Sequence, residues 1–272
     1  MEYFNDCTAL ITGASSGIGR EFALQLAPFA SNIIIAARRI DRLEALKAEI
    51  AELHPQTKVF TYGIDLAQDV DLNVFLNWLA NNQLKVDLLI NNAGVGDHGP
   101  FSEASWIRIE QMVAINILAL TKLTHALLPQ MLTSGEGAIL NVSSVASLVP
   151  VPYLNVYAAT KAYVTSFSEG LRAELRSSNI SVTALCPGPV PTEFGQQAAR
   201  LGKERFDVST PGFVSVDAAT AARCGLKAVV NDRARAIPGA AMFFTAISLA
   251  IIPFFLVRQL LNLSARKQRN QL

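Results

Sequence analysis

Short apolar runs alternate along the chain with longer runs in which apolar residues recur at helical spacing. The short runs are rich in Ile, Val and Leu and show little polar alternation, which is typical of strands covered on both faces. The predicted strands are Thr8–Thr12, Asn32–Ala37, Lys58–Tyr62, Val86–Asn91, Ala138–Val142 and Ser181–Leu185. The predicted helices are Gly17–Ala27, Arg42–Leu53, Asp69–Asn81, Trp106–Leu132, Val156–Ser177 and Asp217–Val229, with Asp217 close to the N-cap of the last.

This alternation predicts an α/β protein with one doubly wound parallel sheet of the Rossmann type. No repeat or linker marks a second globular domain. We expect a catalytic domain over residues 1–235 and a hydrophobic C-terminal helical extension over 236–272. Residues 187–215 are irregular and punctuated by Gly and Pro, and they follow the last clear strand, where such a sheet places its ligand crevice.

Composition narrows the classes of function. The chain has 272 residues, of which 51% are hydrophobic and only 17% charged, and its net charge is +1. A charged fraction this low argues against a disordered protein, and a balanced charge argues against a nucleic-acid partner. Cys7, Cys186 and Cys224 lack disulfide or metal-ligand spacing, and the N-terminus does not read as a signal peptide, so we expect a cytoplasmic protein and no metal.

A parallel sheet buried on both faces would account for most of the apolar excess, and the remainder is concentrated in the C-terminal segment. Ala236–Val257 carries no charge, and the four basic residues that follow it have no acidic neighbours. Its length would suffice for a transmembrane helix, but Pro253 interrupts it and basic residues flank both ends. Residues 240–272 are therefore expected either to lie on a membrane surface or to pack on the core or across a subunit interface.

A glycine-rich turn follows the first strand, with the sequence TGASSGIG over Thr12–Gly19. Glycines let the chain turn sharply and approach a ligand, and the following helix start offers N–H groups to a pyrophosphate. The alternative is an ordinary strand–helix turn. The expected dinucleotide contacts here are Gly13, Ser15, Ser16, Gly17, Ile18 and Gly19.

The end of the second strand indicates which dinucleotide binds. An NAD site usually places Asp or Glu there, to accept a hydrogen bond from the ribose 2′-hydroxyl. This chain has Arg38 and Arg39 instead. Guanidinium groups suit the 2′-phosphate of NADP(H), so we predict that Arg38 binds it and that Arg39 assists.

Tyr157 and Lys161 lie four residues apart and share one face of a predicted helix. A nearby ammonium favours the phenolate, so we expect it to lower the tyrosine pKa from its ordinary value near 10. Such a pair can protonate a carbonyl oxygen as hydride arrives, or deprotonate an alcohol in the reverse direction.

Together these residues resemble the classical short-chain dehydrogenases/reductases, from about Thr8 to about Val230. The motifs are TGASSGIG, Asp65 in GIDLA, NNAG at Asn91–Gly94, Asn116 in AINIL, NVSS at Asn141–Ser144, YAATK at Tyr157–Lys161 and PGPVPT at Pro187–Thr192. They occur in the order and at the spacing of that family.

The resemblance implies a role for each matching residue. Tyr157 would be the general acid/base, Lys161 would lower its pKa and hold the nicotinamide ribose, and Asn116 would hold a water in a proton relay. Ser144 would bind the substrate carbonyl and is preferred to Ser143, which should point the other way from a strand. The further cofactor contacts implied are Asp65, Leu66, Asn92, Ala93, Gly94, Pro187, Gly188, Val190 and Thr192.

The resemblance also implies a homodimer or homotetramer, formed through the helices Trp106–Leu132 and Val156–Ser177. Phe194, Leu201, Phe206 and Phe213 suggest a small apolar carbonyl or alcohol substrate, such as a ketone, a steroid, a retinoid or a 3-ketoacyl chain. His98 is expected to form pocket wall or face solvent rather than to act in catalysis. The alternative function is a non-catalytic dinucleotide-binding regulatory or scaffold protein.

Overall fold

The computed structural model of the protein describes residues 2–200 and 215–251 together with Gln259. Seven parallel strands form one sheet in the order β3-β2-β1-β4-β5-β6-β7. The strands are β1 Thr8–Thr12, β2 Asn32–Ala37, β3 Lys58–Gly63, β4 Leu88–Asn91, β5 Gly137–Val142, β6 Ile180–Leu185 and β7 Arg235–Ala236. This topology confirms the predicted doubly wound fold. The order in which successive strands are added to the sheet reverses between β1 and β4, which are themselves parallel.

Helices flank both faces of the sheet. Their bounds are α1 Gly17–Leu26, α2 Ile40–Leu53, α3 Asp69–Asn81, α4 Trp106–Val113, α5 Leu120–Ser134, α6 Asn155–Glu174, α7 Glu193–Ala198, α8 Ala218–Val230 and α9 Ala240–Ile251. Asp217 caps α8, since its carboxylate accepts a hydrogen bond of 2.6 Å from the backbone N–H of Thr220.

Two hydrophobic cores lie on opposite faces of the sheet. Phe22 of α1 and Leu226 of α8 are buried on one face, and Phe75 of α3 and Leu127 of α5 are buried on the other. Strands β1, β4, β5 and β6 are buried at every position. Their near-continuous apolar sequences follow from this two-sided burial.

Apart from shifts of one to three residues at the ends of elements, the structure differs from the predicted elements mainly in the regions of α4–α5 and α7. The predicted helix Trp106–Leu132 is interrupted by a π-helical turn, Ala114–Ala119, between α4 and α5. The short helix α7 lies within residues 187–215, which the sequence presented as irregular. The two-residue strand β7 completes the edge of the sheet beside β6.

One helical run among the described residues, Trp106–Ser134, is long and apolar enough by composition to cross a membrane. Leu123, Leu127 and Met131 of this run are buried in the core, so it serves as a core helix of the domain. In α9, Met242 and Ala246 are buried, whereas Phe243 and Phe244 are exposed. The predicted substrate-loop residues Leu201, Phe206 and Phe213, and the basic tail, lie outside the described residues.

Candidate active site

A cleft of about 930 Å³ lies at the carboxyl ends of the strands, beside the reversal between β1 and β4. The glycine-rich turn and the start of α9 both contribute to its lining. Open α/β sheets bind their ligands at this position.

The glycine-rich turn has a backbone that only glycine adopts readily. Gly13 and Gly17 have positive φ angles of 68° and 57°. A Cβ on Gly13 would lie 2.8 Å from the Cα of Ala93, and one on Gly19 would lie 2.4 Å from the backbone oxygen of Gly13. The turn is therefore tightly packed and leads directly into the N-terminus of α1. This arrangement suits the binding of a pyrophosphate.

Hydrogen bonds brace this turn against the end of β4. The Thr12 hydroxyl accepts hydrogen bonds of 3.1 Å from the backbone N–H groups of Asn92 and Ala93. The Asn92 amide donates to the backbone oxygens of Thr12 and Gly13, at 2.9 and 3.2 Å. Contacts within the protein therefore fix the shape of the glycine-rich turn. The supporting role of Thr12 is not predictable from the local sequence.

Nearly all of the predicted cofactor residues line the cleft. Those that do are Gly13, Ser15, Ser16, Gly17, Ile18, Arg38, Arg39, Asp65, Leu66, Asn92, Ala93, Gly94, Tyr157, Lys161, Pro187, Gly188, Val190 and Thr192. Gly19 is the exception, because it is buried behind the turn and its lack of a side chain serves close packing. The Asp65 carboxylate accepts a hydrogen bond of 3.1 Å from the Ala67 N–H, so it also shapes its own turn.

The two arginines after β2 are held differently. Arg38 is exposed at the rim of the cleft. Arg39 donates to the hydroxyls of Ser15 and Ser16, at 3.0 and 2.9 Å, and to the Glu193 carboxylate at 2.6 Å. Arg39 is therefore already fixed on the glycine-rich turn.

Tyr157 and Lys161 lie on one face of α6, and both reach the cleft. The Lys161 ammonium donates to the backbone oxygen of Val142 at 2.8 Å and lies 5.8 Å from the centre of the Tyr157 ring. Ser144 is hydrogen-bonded to Tyr157. Ser143 is directed elsewhere, because its hydroxyl donates to the backbone oxygen of Lys161 at 2.8 Å.

Burial shifts the pKa values of this pair in opposite directions. It raises the pKa of Tyr157 to about 12, and the hydrogen bond with Ser144 only partly opposes this rise. It lowers the pKa of Lys161 to about 8. The tyrosine pKa therefore lies above its ordinary value, since the desolvation of the phenolate dominates, and a lowering effect of Lys161 stays a prediction.

Asn116 lies behind the cleft wall, within the π-helical turn, and is buried. Its side chain accepts a hydrogen bond from the Val95 N–H and donates to the Val95 oxygen, both at 3.0 Å. The same amide nitrogen donates to the Thr160 hydroxyl at 3.0 Å. Asn116 thereby ties the loop after β4 to the helix that carries Tyr157 and Lys161.

Helix α7 forms part of the cleft lining. The Thr192 hydroxyl caps it by accepting from the Phe194 N–H at 3.4 Å, and Thr192 also lies against Gly17. The Phe194 ring lies 5.4 Å from the Tyr157 ring. Six residues are too few for a clear helical period, although the Thr192 cap was a usable signal.

The remainder of the cleft is mostly apolar. Its described lining residues beyond Tyr157 include Val145, Leu148, Val149, Val151, Leu154 and Met242. His98 also lines it, and burial lowers the pKa of this imidazole, which keeps it neutral at pH 7. This chamber can hold an apolar group next to a proton donor.

A sequence model of the family described as short chain dehydrogenase matches residues 7–201. Among solved structures, the chain is similar to a short-chain dehydrogenase from Sphingobium yanoikuyae in complex with NADPH. The two are 32% identical with a TM-score of 0.78, and the match covers 90% of this chain and 93% of that one.

Two curated relatives are named for reductions of different substrates. The chain is 33% identical to a very-long-chain 3-oxoacyl-CoA reductase from Anas platyrhynchos, over 75% of this chain and 64% of that protein. It thus spans less than two thirds of that relative's length. It is 38% identical to a sulfoacetaldehyde reductase from Chromohalobacter salexigens, over 71% of this chain and 78% of that protein.

Proposed function

Because this chain belongs to the short-chain dehydrogenase family, we propose that it is an NADP(H)-dependent oxidoreductase that reduces the carbonyl group of an apolar substrate. The observation that carries the proposal is the grouping of Ser144, Tyr157 and Lys161 along one wall of a cleft that begins at the glycine-rich turn. A protein that only sensed the dinucleotide would have no use for a proton donor at this position.

The proposed mechanism assigns proton donation to Tyr157. When bound, the reduced nicotinamide supplies a hydride to the carbonyl carbon. Tyr157 stays protonated at neutral pH because burial raises its pKa, so its phenol can donate to the carbonyl oxygen as negative charge develops there. Ser144 holds both that oxygen and the phenol.

Lys161 and Asn116 support the proton donor. With a pKa of about 8, Lys161 is largely protonated at pH 7, and its charge stabilises the phenolate that proton transfer leaves behind. Lys161 would also hold the nicotinamide ribose. Asn116 acts as a positioning residue, because its hydrogen bonds join Val95 to Thr160 on α6.

Two features support NADP(H) as the cofactor. Arg38 and Arg39 lie at the end of β2, and Ala36 and Ala37 stand at the end of the strand where a carboxylate would serve NAD. The Sphingobium yanoikuyae relative was solved in complex with NADPH. Asp65 and Leu66 would contact the adenine, Asn92, Ala93 and Gly94 the adenosine ribose, and residues 187–192 the nicotinamide end.

The lining of the cleft favours an apolar substrate such as a ketone, a steroid or a 3-oxoacyl chain. A sulfonate would need a cation next to the reacting carbonyl, and the described lining residues of the apolar chamber carry no Lys or Arg apart from Lys161. Between the two substrates named for the relatives, the acyl type is therefore the better match to this chain.

Exposed apolar surfaces suggest two further partners. Phe243 and Phe244 project from α9, at the start of the uncharged segment that leads to the basic tail, which supports contact of residues 240–272 with a membrane surface. Trp106, Ile107 and Leu118 are exposed on α4 and the π-helical turn, which supports a homodimer or homotetramer through these helices.

The test is NADPH oxidation over a panel of carbonyl substrates, with NADH run in parallel. We expect turnover of apolar ketones or 3-oxoacyl esters, and Tyr157→Phe to lower kcat by roughly 10²- to 10⁴-fold while the Kd for NADPH changes by less than about twofold. Tyr163→Phe is the matched control, because Tyr163 lies on the same helix but is exposed and bonded to Thr121. NADPH binding without turnover of any carbonyl would favour the non-catalytic alternative, and preferred turnover of sulfoacetaldehyde would reject the apolar substrate class.

A further inference from the structure

The segment Thr192–Arg200, here called the strap, lines the cleft and is held by ion pairs near its two ends. At its start, the Glu193 carboxylate accepts hydrogen bonds of 2.6 Å from both Arg39 and Arg42. At its end, Arg200 binds both carboxylate oxygens of Asp97, at 3.0 and 2.7 Å. One tie lies beside the glycine-rich turn and the other beside the apolar chamber.

The two ties differ in exposure. The side chain of Asp97 is only 3% exposed, whereas that of Glu193 is 38% exposed. Solvent and salt weaken exposed ion pairs far more than buried ones. The Glu193 tie is therefore the one that a competing anion can displace.

Each of the three side-chain nitrogens of Arg39 already donates a hydrogen bond within the protein. Its Nη1 binds Glu193, while its Nε and Nη2 bind Ser15 and Ser16. Glu193 is ionised at neutral pH, because the hydrogen bonds from Arg39 and Arg42 hold its pKa below the usual range. A carboxylate thus occupies the guanidinium groups of Arg39 and Arg42, whereas Arg38 beside them is exposed.

We propose that Glu193 is a cofactor-specificity residue that competes with the 2′-phosphate of NADP(H) for Arg39 and Arg42. This inference rests on the proposed NADP(H) function. Beside its expected contact with Arg38, the phosphate takes over the guanidinium groups of Arg39 and Arg42 and releases Glu193 to solvent. NADH lacks that phosphate and leaves the ion pairs of Glu193 in place. Glu193 therefore lowers the affinity for NADPH selectively.

The experiment measures the Kd of NADPH and NADH by fluorescence titration. We expect Glu193→Gln to tighten NADPH binding by about three- to tenfold, the combined value of two exposed ion pairs, and to change NADH binding by less than about twofold. Glu169→Gln is the matched control, because Glu169 forms a 2.6 Å pair with Arg235 at similar exposure but does not line the cleft. It should leave both Kd values unchanged.

A second pair of variants distinguishes competition for the two arginines from a long-range electrostatic effect of the Glu193 charge on NADPH. In an Arg39→Gln/Arg42→Gln protein, Glu193→Gln should no longer alter the NADPH Kd, whereas a field effect of the lost charge would persist there. An unchanged NADPH Kd in the single Glu193→Gln variant overturns the role of Glu193. If the unsubstituted protein instead binds NADH more tightly than NADPH, it is the proposed cofactor choice that fails.

Discussion

At the scale of single residues, Tyr157 and Lys161 show how one environment acts on two ionisable groups. Burial disfavours the charged form of each, so it raises the tyrosine pKa and lowers the lysine pKa. The result at neutral pH is a neutral phenol next to a largely protonated lysine. That is the state in which the pair can donate a proton.

The pH profile of carbonyl reduction should report Lys161. Below about pH 8 the lysine is protonated, and above it the charge that stabilises the phenolate is lost, while Tyr157 remains protonated to about pH 12. We expect kcat/KM for reduction to be level near pH 7 and to fall as the pH rises through about 8. Steady-state kinetics at saturating NADPH would measure this profile.

The contrary result would be a falling limb near pH 10, where free lysine and free tyrosine titrate. Lys161→Arg is the informative variant, because a guanidinium keeps its charge throughout this range. Whatever activity it retains should show no limb near pH 8.

The sequence could predict the grouping of these residues but not their pKa shifts. A spacing of four residues places Tyr157 and Lys161 on one face of a helix, and strand alternation separates Ser143 from Ser144. The shifts depend on how many protein atoms surround each group, and on partners such as Val142 that come from other parts of the chain.

At the scale of elements, the strands and long helices followed the apolar pattern closely, and the π-helical turn and the strap did not. The π turn leaves the apolar period of Trp106–Leu132 nearly unchanged, and its side chain Asn116 is tied to the distant Val95. The helix in the strap has only six residues, and its position depends on ion pairs with Arg39 and Asp97. Contacts of this range have no signature in local sequence.

We expect the Asp97–Arg200 ion pair to contribute more to the free energy of unfolding than the ion pairs of Glu193 at the other end of the strap. Among the described residues, Arg200→Met leaves Arg108, 3.8 Å away, as the cation paired with the buried Asp97 carboxylate, so we expect a loss of about 3 kcal/mol in the free energy of unfolding. Asp97→Asn in the same chain should recover part of this loss, because it removes the unpaired charge. Urea unfolding monitored by circular dichroism would measure both variants.

The Arg172–Asp232 pair provides the comparison. It is also bidentate, at 2.5 and 2.6 Å, but the Asp232 side chain is 64% exposed. We expect Asp232→Asn to cost less than about 1 kcal/mol. Equal losses at the two sites would show that burial does not strengthen the tie at Asp97.

At the scale of the whole molecule, the apolar excess divides between the core and the C-terminal segment. Most of it fills the two faces of the sheet, as the sequence predicted. The two sides of α9 near its start have different surroundings. Met242 and Ala246 are buried and line the cleft, whereas Phe243 and Phe244 are exposed. The sequence left packing and membrane contact as alternatives, and this helix has a side suited to each.

Vesicle sedimentation would test the proposed membrane contact. We expect the full chain to sediment with vesicles that contain anionic lipid, and Phe243→Ser/Phe244→Ser to weaken this binding by roughly tenfold, because two apolar rings leave the lipid interface. Phe101→Ser removes a phenylalanine of comparable exposure elsewhere and should have no effect. If the Phe243→Ser/Phe244→Ser variant bound the vesicles as strongly as the Phe101→Ser variant, a role of α9 at the membrane would be rejected.

The order of the sheet also has a consequence for synthesis of the protein. The central strand β1 pairs with β4, so its ladder from Ala9 to Leu88 cannot form until about ninety residues have left the ribosome. A nascent chain that ends before residue 240 already contains the glycine-rich turn, Arg39, Ser144, Tyr157 and Lys161, but not the cleft wall made by Met242, Thr245 and Ala246. The dinucleotide half of the cleft can therefore be assembled on the ribosome before the substrate chamber is closed.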